Sequence, residues 1–227
     1  MMSGHPRQHF AETDSTNRVA LDWHDAPHGA LVTADAQTAG RGRLGRHWQS
    51  PAGKGLYLSL ILRPDEANPA RYALLAGLGV VRGIESVCEV PTTCKWPNDI
   101  LCNGRKIGGI LCETRDQRVV VGIGLNVTHT TEDLPERPIF PASSLLLESG
   151  KTFQIEPLLE AIVRALETTF GQNDWRTDYE NRMWGKGEVA RADGKMGVVQ
   201  GIEADGRLRL QTADGPHLVV AGELEWI

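Results

Sequence analysis

No stretch of about 18 consecutive apolar residues occurs in this chain, so a membrane-crossing helix is not expected. The opening residues, Met1-Met2-Ser3-Gly4-His5-Pro6-Arg7-Gln8-His9-Phe10, lack the apolar core of a secretory leader. Cysteine is sparse and unclustered. Cys88, Cys94, Cys102 and Cys112 show no C-x-x-C spacing, which argues against a zinc or thioredoxin-like site and for reduced thiols in a cytoplasmic protein. Cys102 and Cys112 flank an expected hairpin, but a disulfide between them is not expected. A surplus of positive charge is also missing. With 24 Lys and Arg against 29 Asp and Glu, the net charge is −5, which excludes a nucleic-acid binder that relies on bulk positive charge. What the chain does have is 41% apolar residues over 227 positions, enough for one large domain or one domain with a small appendage.

Against that acidic background, residues 40–59 stand out. Arg41, Arg43, Arg46 and Lys54 are interleaved with Gly40, Gly42, Gly45, Gly53 and Gly55. Glycine lets backbone N–H groups approach a ligand closely, and arginine offers a rigid fork of donors matched to carboxylate and phosphate oxygens. The pattern suits a flexible cationic lid over an anionic ligand; a solvated basic loop is the plain alternative. Gly40-x-Gly42-x-x-Gly45 matches the dinucleotide fingerprint in form only, because Arg46-His47-Trp48-Gln49-Ser50-Pro51 neither caps nor opens a helix. A Walker A loop fails too: Gly55 follows Lys54 where Ser or Thr is required, and Trp48 stands where the leading glycine belongs.

The periodicity predicts the order of elements. Asp14-Ser15-Thr16-Asn17 opens a helix, with Ser15 or Thr16 as cap and Val19, Ala20 and Trp23 behind it. Strands are predicted over 30–36 and 55–63, the second with Leu56, Leu58, Leu60 and Leu62 on one face and Tyr57 and Ile61 on the other. Pro69 opens an apolar helix to about Val87. A strand over 92–96, a hairpin over 99–114 around Asn103-Gly104, a strand over 118–127, a polar loop over 128–143 and a helix from near Pro157 to about Phe170 follow. In the last forty-odd residues, Asp193-Gly194, Asp205-Gly206 and Asp214-Gly215 separate short alternating runs, the pattern of a small antiparallel barrel. The boundary falls near Trp184, dividing the chain into 1–184 and 185–227. The larger part mixes helices with hairpins and reads as α+β.

Three more constellations carry chemistry, each with an ordinary alternative. Lys95-Trp96-Pro97-Asn98-Asp99 ends a strand at Pro97 and places Asn98 and Asp99 in a turn; an Asx turn would do the same. In Lys106-Ile107-Gly108-Gly109-Ile110-Leu111 a lysine precedes a glycine pair, which marks a close approach of ligand or backbone, or simply a solvated charge after a turn. Gly122-Ile123-Gly124-Leu125-Asn126 puts two glycines and a polar residue into an apolar strand, as a ligand contact or a strand-end cap.

Taken in order, Ser15-Thr16-Asn17, Gln37 to Trp48, Lys95 to Asp99, Lys106 to Leu111 and Gly122 to Asn126 resemble the biotin protein ligases, motif by motif over residues 14–127 and as architecture to the C-terminus. The resemblance implies a mixed-sheet catalytic domain of the biotin/lipoate ligase type followed by a small SH3-like β-barrel. It implies an ATP-dependent, AMP-forming enzyme. Biotin and ATP with Mg2+ give biotinyl-5′-AMP and pyrophosphate, and a lysine of a biotin carboxyl carrier protein domain then takes the biotin.

Carried over by position, the resemblance makes Lys106 and Arg43 catalytic. Ser15, Thr16, Asn17, Gln37, Gly40, Arg41, Arg43, Lys106 and Gly109 would form the biotin end. Arg43, Arg46, Trp48, Asn98, Asp99 and Asn126 would form the ATP and adenylate end, with Asp99 orienting Lys106 or the arginines. Metal ligands stay unassigned. Many bacterial relatives carry an N-terminal winged helix-turn-helix; the motifs here begin at Asp14 with no room for it, so DNA binding is not expected. No membrane partner is expected, and the resemblance leaves monomer and homodimer open. The competing readings are a lipoate or octanoyl ligase-type acyltransferase and, from a different class, a nucleic-acid-binding module using the arginine loop.

Overall fold

The computed structural model describes residues 6–135 and 141–227, so the middle of the loop expected over 128–143 lies outside the described residues. Chain order is β1 (Arg7–Thr13), α1 (Thr16–Asp22), β2 (Leu31–Gln37), β3 (Gly55–Leu62), α2 (Pro69–Val87), β4 (Thr92–Lys95), β5 (Asp99–Cys102), β6 (Arg105–Arg115), β7 (Arg118–Asn126), α3 (Leu145–Ser149), α4 (Ile155–Phe170) and α5 (Trp175–Asn181). Then come β8 (Val189–Ala192), β9 (Lys195–Ile202), β10 (Leu208–Thr212), β11 (Gly215–Val219) and β12 (Glu225–Trp226). Among the described residues no helix is long and apolar enough to cross a membrane.

The first seven strands form one mixed sheet in the order β1-β2-β3-β7-β6-β5-β4. β1 runs parallel to β2, and every other neighbour is antiparallel. Strand alternation divides its faces. On β7, Val119, Val121, Ile123 and Leu125 join Leu56, Leu58, Leu60 and Leu62 of β3 in the main core under α2 and α4. On the other face, Ile61 and Val120 pack against Ala20 and Leu21 of α1. The chemistry described below sits on that second face, beside α1.

α2 begins where Asn68 accepts the Arg71 N–H (3.0 Å) and Pro69 supplies a preset φ. It lies very close to α4. A Cβ on Gly83 would stand 2.6 Å from the Ile162 Cα, and one on Gly79 would stand 2.7 Å from Leu166 Cδ2. The Asn103–Gly104 turn has both residues at positive φ (49° and 74°), as a two-residue hairpin requires.

The last five strands form a second, antiparallel sheet in the order β11-β10-β9-β8-β12. Asp193 and Gly194, at φ 51° and 74°, turn β8 into β9. The sequence predicts a small antiparallel barrel. The strands are barrel-like, but β12 has only two residues, both paired to β8, and among the described residues no ladder joins it to β11. The two sheets share one apolar cluster, which runs from α2 to Ile202, Leu208 and Val219. Polar ties cross the same junction: the buried Trp96 Nε1–H donates to the Gly206 carbonyl (3.0 Å), and the Ile202 N–H donates to Glu180 (3.0 Å).

β1, α3 and α5 had no counterpart in the sequence reading. β1 is an edge strand with mostly exposed or half-buried positions, so its alternation is weak. α3 and α5 span five and seven residues, too short to show a helical period. All four cysteines are free thiols.

Candidate active site

A cavity of about 810 Å³ opens on the α1 side of the first sheet, within the range of small-molecule sites. Three sequence-distant groups meet in it. The first is buried and uncharged. Ser15, Thr16 and Asn17 stand at the start of α1, each less than 5% exposed. Ser15 occupies the cap position, but its side chain makes no capping hydrogen bond. Instead the Gln37 carbonyl oxygen, from the end of β2, accepts the Thr16 N–H (2.9 Å), while its amide donates to Ser50 (2.9 Å). Ser59 of β3 donates to Asn17 Oδ1 (2.6 Å) and lies 2.8 Å from Thr16 Oγ1. Every amide in this group is oriented by a partner, which makes a rigid polar end.

The second group is the glycine-rich segment. It forms no helix at its third glycine; Arg43–Gly45 is a single 3₁₀ turn with Leu44 at φ 56°. Arg41 pairs with Glu113 (2.7 Å), Arg43 donates to Asn98 (3.1 Å), and Arg46 pairs with Glu223 in the link between β11 and β12. Burial holds the Arg43 guanidinium below the usual arginine range, with Asp99 opposing that shift. It stays protonated at neutral pH. Arg46 is raised by its bond to Glu223, and Glu223 is lowered by the same bond. Trp48 lies flat against the floor: a Cβ on Gly124 would stand 2.5 Å from its Nε1 and one on Gly109 would stand 3.3 Å from its Cζ3. Among the described residues its buried Nε1–H has no partner.

The third group is the floor and far wall. Strand alternation puts Gly122, Gly124 and Asn126 on the cavity face of β7. On β6, Lys106 and Gly109 share that face although three residues apart. A bulge explains this: Leu101 pairs with Lys106 and Ile100 with Gly108, so Ile107 is extra and the alternation resets. Both backbone groups of Lys106 are held by one segment, the N–H donating to Pro141 (2.7 Å) and the carbonyl accepting from Ser143 (2.8 Å). Its ammonium lies 2.5 Å from Asp99 Oδ1 and 5.6 Å from the centre of the Trp48 ring. Asp99 also takes Lys95 on its other oxygen (3.3 Å). Asn98 and Asn126 are anchored by Nδ2–H bonds to the carbonyls of Ile110 (3.0 Å) and Ser143 (2.9 Å).

Of the residues given catalytic, biotin or adenylate roles, Gly40 is the one that does not line the cavity. It packs behind the segment, where a Cβ would strike the Trp48 carbonyl and approach Ser50 Oγ to 2.8 Å. Lys54 is not part of a lid. It binds both oxygens of Asp133 (2.6 Å each) and so pins the loop after β7, lowering the Asp133 pKa to about 2.

The sequence reading gives that loop no part in the site, yet it brings His129, Asp133 and Leu134 to the wall; it also missed Glu223, just before β12, and Trp226 of β12. Thr130 and Asp133 form a capping box, a readable signal that the loop is structured. Glu223 and Trp226 left no local signal. Among the described residues no group of three or more His, Cys, Asp or Glu gathers to hold a metal ion. The arrangement as a whole is a long cavity, polar and neutral at one end and cationic along its middle. It suits a ligand with a hydrogen-bonding head and an anionic tail, next to a second anionic ligand.

The sequence profile of the biotin/lipoate A/B protein ligase family matches residues 9–128, and that of the biotin protein ligase C-terminal domain matches residues 189–225. The chain is 37% identical to a bifunctional ligase/repressor from Bacillus spizizenii, over 96% of this chain and 74% of that one. It is 33% identical to a biotin–[acetyl-CoA-carboxylase] ligase from Paracoccus denitrificans, over 95% and 98%. A solved biotin protein ligase from Aquifex aeolicus in complex with biotin and ATP superposes with a TM-score of 0.86 at 30% identity, covering 97% of each chain.

Proposed function

The chain belongs to the biotin/lipoate A/B protein ligase family, and from that premise we propose how its cavity works. It is an ATP-dependent biotin protein ligase, which activates biotin as biotinyl-5′-AMP and passes it to a biotin carboxyl carrier protein. Biotin and ATP are its substrates. Mg2+ would accompany ATP and offset part of its phosphate charge. A lipoate substrate is not favoured, since the relatives that match nearly the whole chain are biotin ligases.

The observation that carries the site reading is one cavity with a neutral, preorganised amide end and a cationic middle. Ser15, Thr16, Asn17 and Gln37 receive the ureido ring, which needs fixed donors and acceptors. Arg41 and Arg43 offset the repulsion between the biotin carboxylate and the α-phosphate, so that a carboxylate oxygen attacks phosphorus and pyrophosphate departs. Lys106 donates to the acyl and phosphoryl oxygens as charge shifts onto them. Asp99 positions that ammonium from 2.5 Å away. In the second step the carrier lysine, as a neutral amine, attacks the acyl carbon and AMP leaves with the bonding pair. Trp48, Arg46, Asn98 and Asn126 form the nucleotide end. Closing the glycine-rich segment keeps water from the anhydride.

We divide the chain into a catalytic part, 1–184, and a C-terminal part, 185–227. The start of the second sheet at Val189 supports this division. We read the protein as acting in the cytoplasm, as a monomer or homodimer; its four free thiols support a reducing compartment. Biotin-dependent exchange of labelled pyrophosphate into ATP, with lipoate in parallel, tests the function. Exchange with biotin is expected, and exchange with lipoate alone would move the protein to the sister activity.

A further inference from the structure

One carboxylate outside the cavity holds two groups that line it. Glu113, on β6, accepts through a single oxygen from Arg41 (2.7 Å) and from Asn17 Nδ2 (2.8 Å). The second Asn17 amide hydrogen goes to the Leu111 carbonyl (3.1 Å), and its oxygen takes the Ser59 hydroxyl. With two acceptor-only groups on one side and a hydroxyl on the other, the Asn17 amide has one orientation. Arg41 lies on the glycine-rich segment and Asn17 at the start of α1, so Glu113 ties that segment to a helix packed on the sheet. Arg41 and Asn17 line the cavity and Glu113 does not, so it acts on a ligand only through them.

We propose that Glu113 is a positioning residue that latches the glycine-rich segment at the biotin end and fixes Arg41 and Asn17 there. The latch rests on the ligase reading above. Its side chain is only 26% exposed and that of Arg41 is 41% exposed, so the pair borders solvent and its loss leaves the core intact. The expected signature is selective. Misplacing Arg41 weakens biotin binding while ATP, held farther along the cavity, is little affected.

The test compares wild type, Glu113→Gln, Glu113→Ala, Arg41→Ala and the Glu113→Ala/Arg41→Ala double variant by biotin-dependent pyrophosphate exchange, with thermal melting alongside. Glu113→Ala is expected to raise the KM for biotin about tenfold or more, with the KM for ATP nearly unchanged. Glu113→Gln keeps an acceptor for Asn17 but loses the charge, so it falls between. The double variant is expected to be no worse than Arg41→Ala, because both remove the same device. A wild-type KM for biotin in Glu113→Ala overturns the latch. So does a uniform loss of kcat with a lower Tm that adds fully to Arg41→Ala. Absence of exchange in the wild type itself removes the ligase reading and the latch together, which separates the two failures.

Discussion

On the helix-packed face of the first sheet, β7 presents Val119, Val121, Ile123 and Leu125 to the core; on its opposite face Val120 gives way to Gly122, Gly124 and Asn126. Both sides of the molecule use glycine to let something come close, but what comes close differs. At Gly79 and Gly83 of α2 the neighbour includes the backbone of α4, at Leu166 Cα and Ile162 Cα. At Gly122 and Gly124 of β7 the neighbours are side chains, Asn17 and Trp48. A helix backbone cannot step aside without moving its whole packed face, whereas the half-buried Trp48 ring over Gly124 can. The same added methyl should therefore register as lost stability on one face and as lost activity on the other.

The largest expected effect lies on the cavity face and involves no packing. Lys106→Ala should cost about 3 kcal/mol of transition-state stabilisation, a hundredfold or more in pyrophosphate exchange. Its melting temperature should barely move, and exchange near the wild-type rate would remove Lys106 from the mechanism. Next is the packed face. Gly83→Ala should destabilise by about 1–3 kcal/mol through overpacking against Ile162. Urea unfolding measures this loss, while activity per folded molecule stays at the wild-type level.

Gly124→Ala sharpens the contrast. Displacing Trp48 from its floor should cost about tenfold in exchange, with a stability change smaller than that of Gly83→Ala. If the two alanine variants lose stability equally, the distinction between backbone and side-chain neighbours is wrong. The smallest effect concerns pH. His129 is fully buried at the cavity wall, and burial holds its imidazole below the ordinary value of 6.5. A base depressed in the folded state leaves the unfolded chain holding more protons. Its stabilising share is therefore complete above that value and declines as pH falls below it toward the lowered folded value. His129→Gln should flatten the fall in unfolding free energy across that acidic window and change nothing above it.

Much of this was legible in the residues. Pro69 and the following apolar period mark α2 to its observed ends, Asn103-Gly104 marks the β5–β6 turn, and four consecutive leucines at period two mark the core face of β3. The named site residues were legible as an ordered set of motifs. Their convergence was not, because it depends on strand register. A one-residue bulge at Ile107 decides that Lys106 and Gly109 face the same way. The capping role expected of Ser15 passed to Gln37, 21 residues from the backbone N–H it accepts.

By itself the sequence determined the elements whose signals are local: the period of the helices, the residues of tight turns, the glycines in β6 and β7, and the clustering of arginines in an acidic chain. Only the tertiary structure decided that Glu113 would hold Arg41 and Asn17, 72 and 96 residues away. It also decided that Lys54 would pin Asp133 rather than cover a ligand, and that the link between β11 and β12 would bring Glu223 to the cavity. The reason is physical. Local structure follows from backbone dihedrals and spacing that neighbouring residues share. A long-range pair forms only after the sheet has brought its two ends together, and neither end carries a trace of the other.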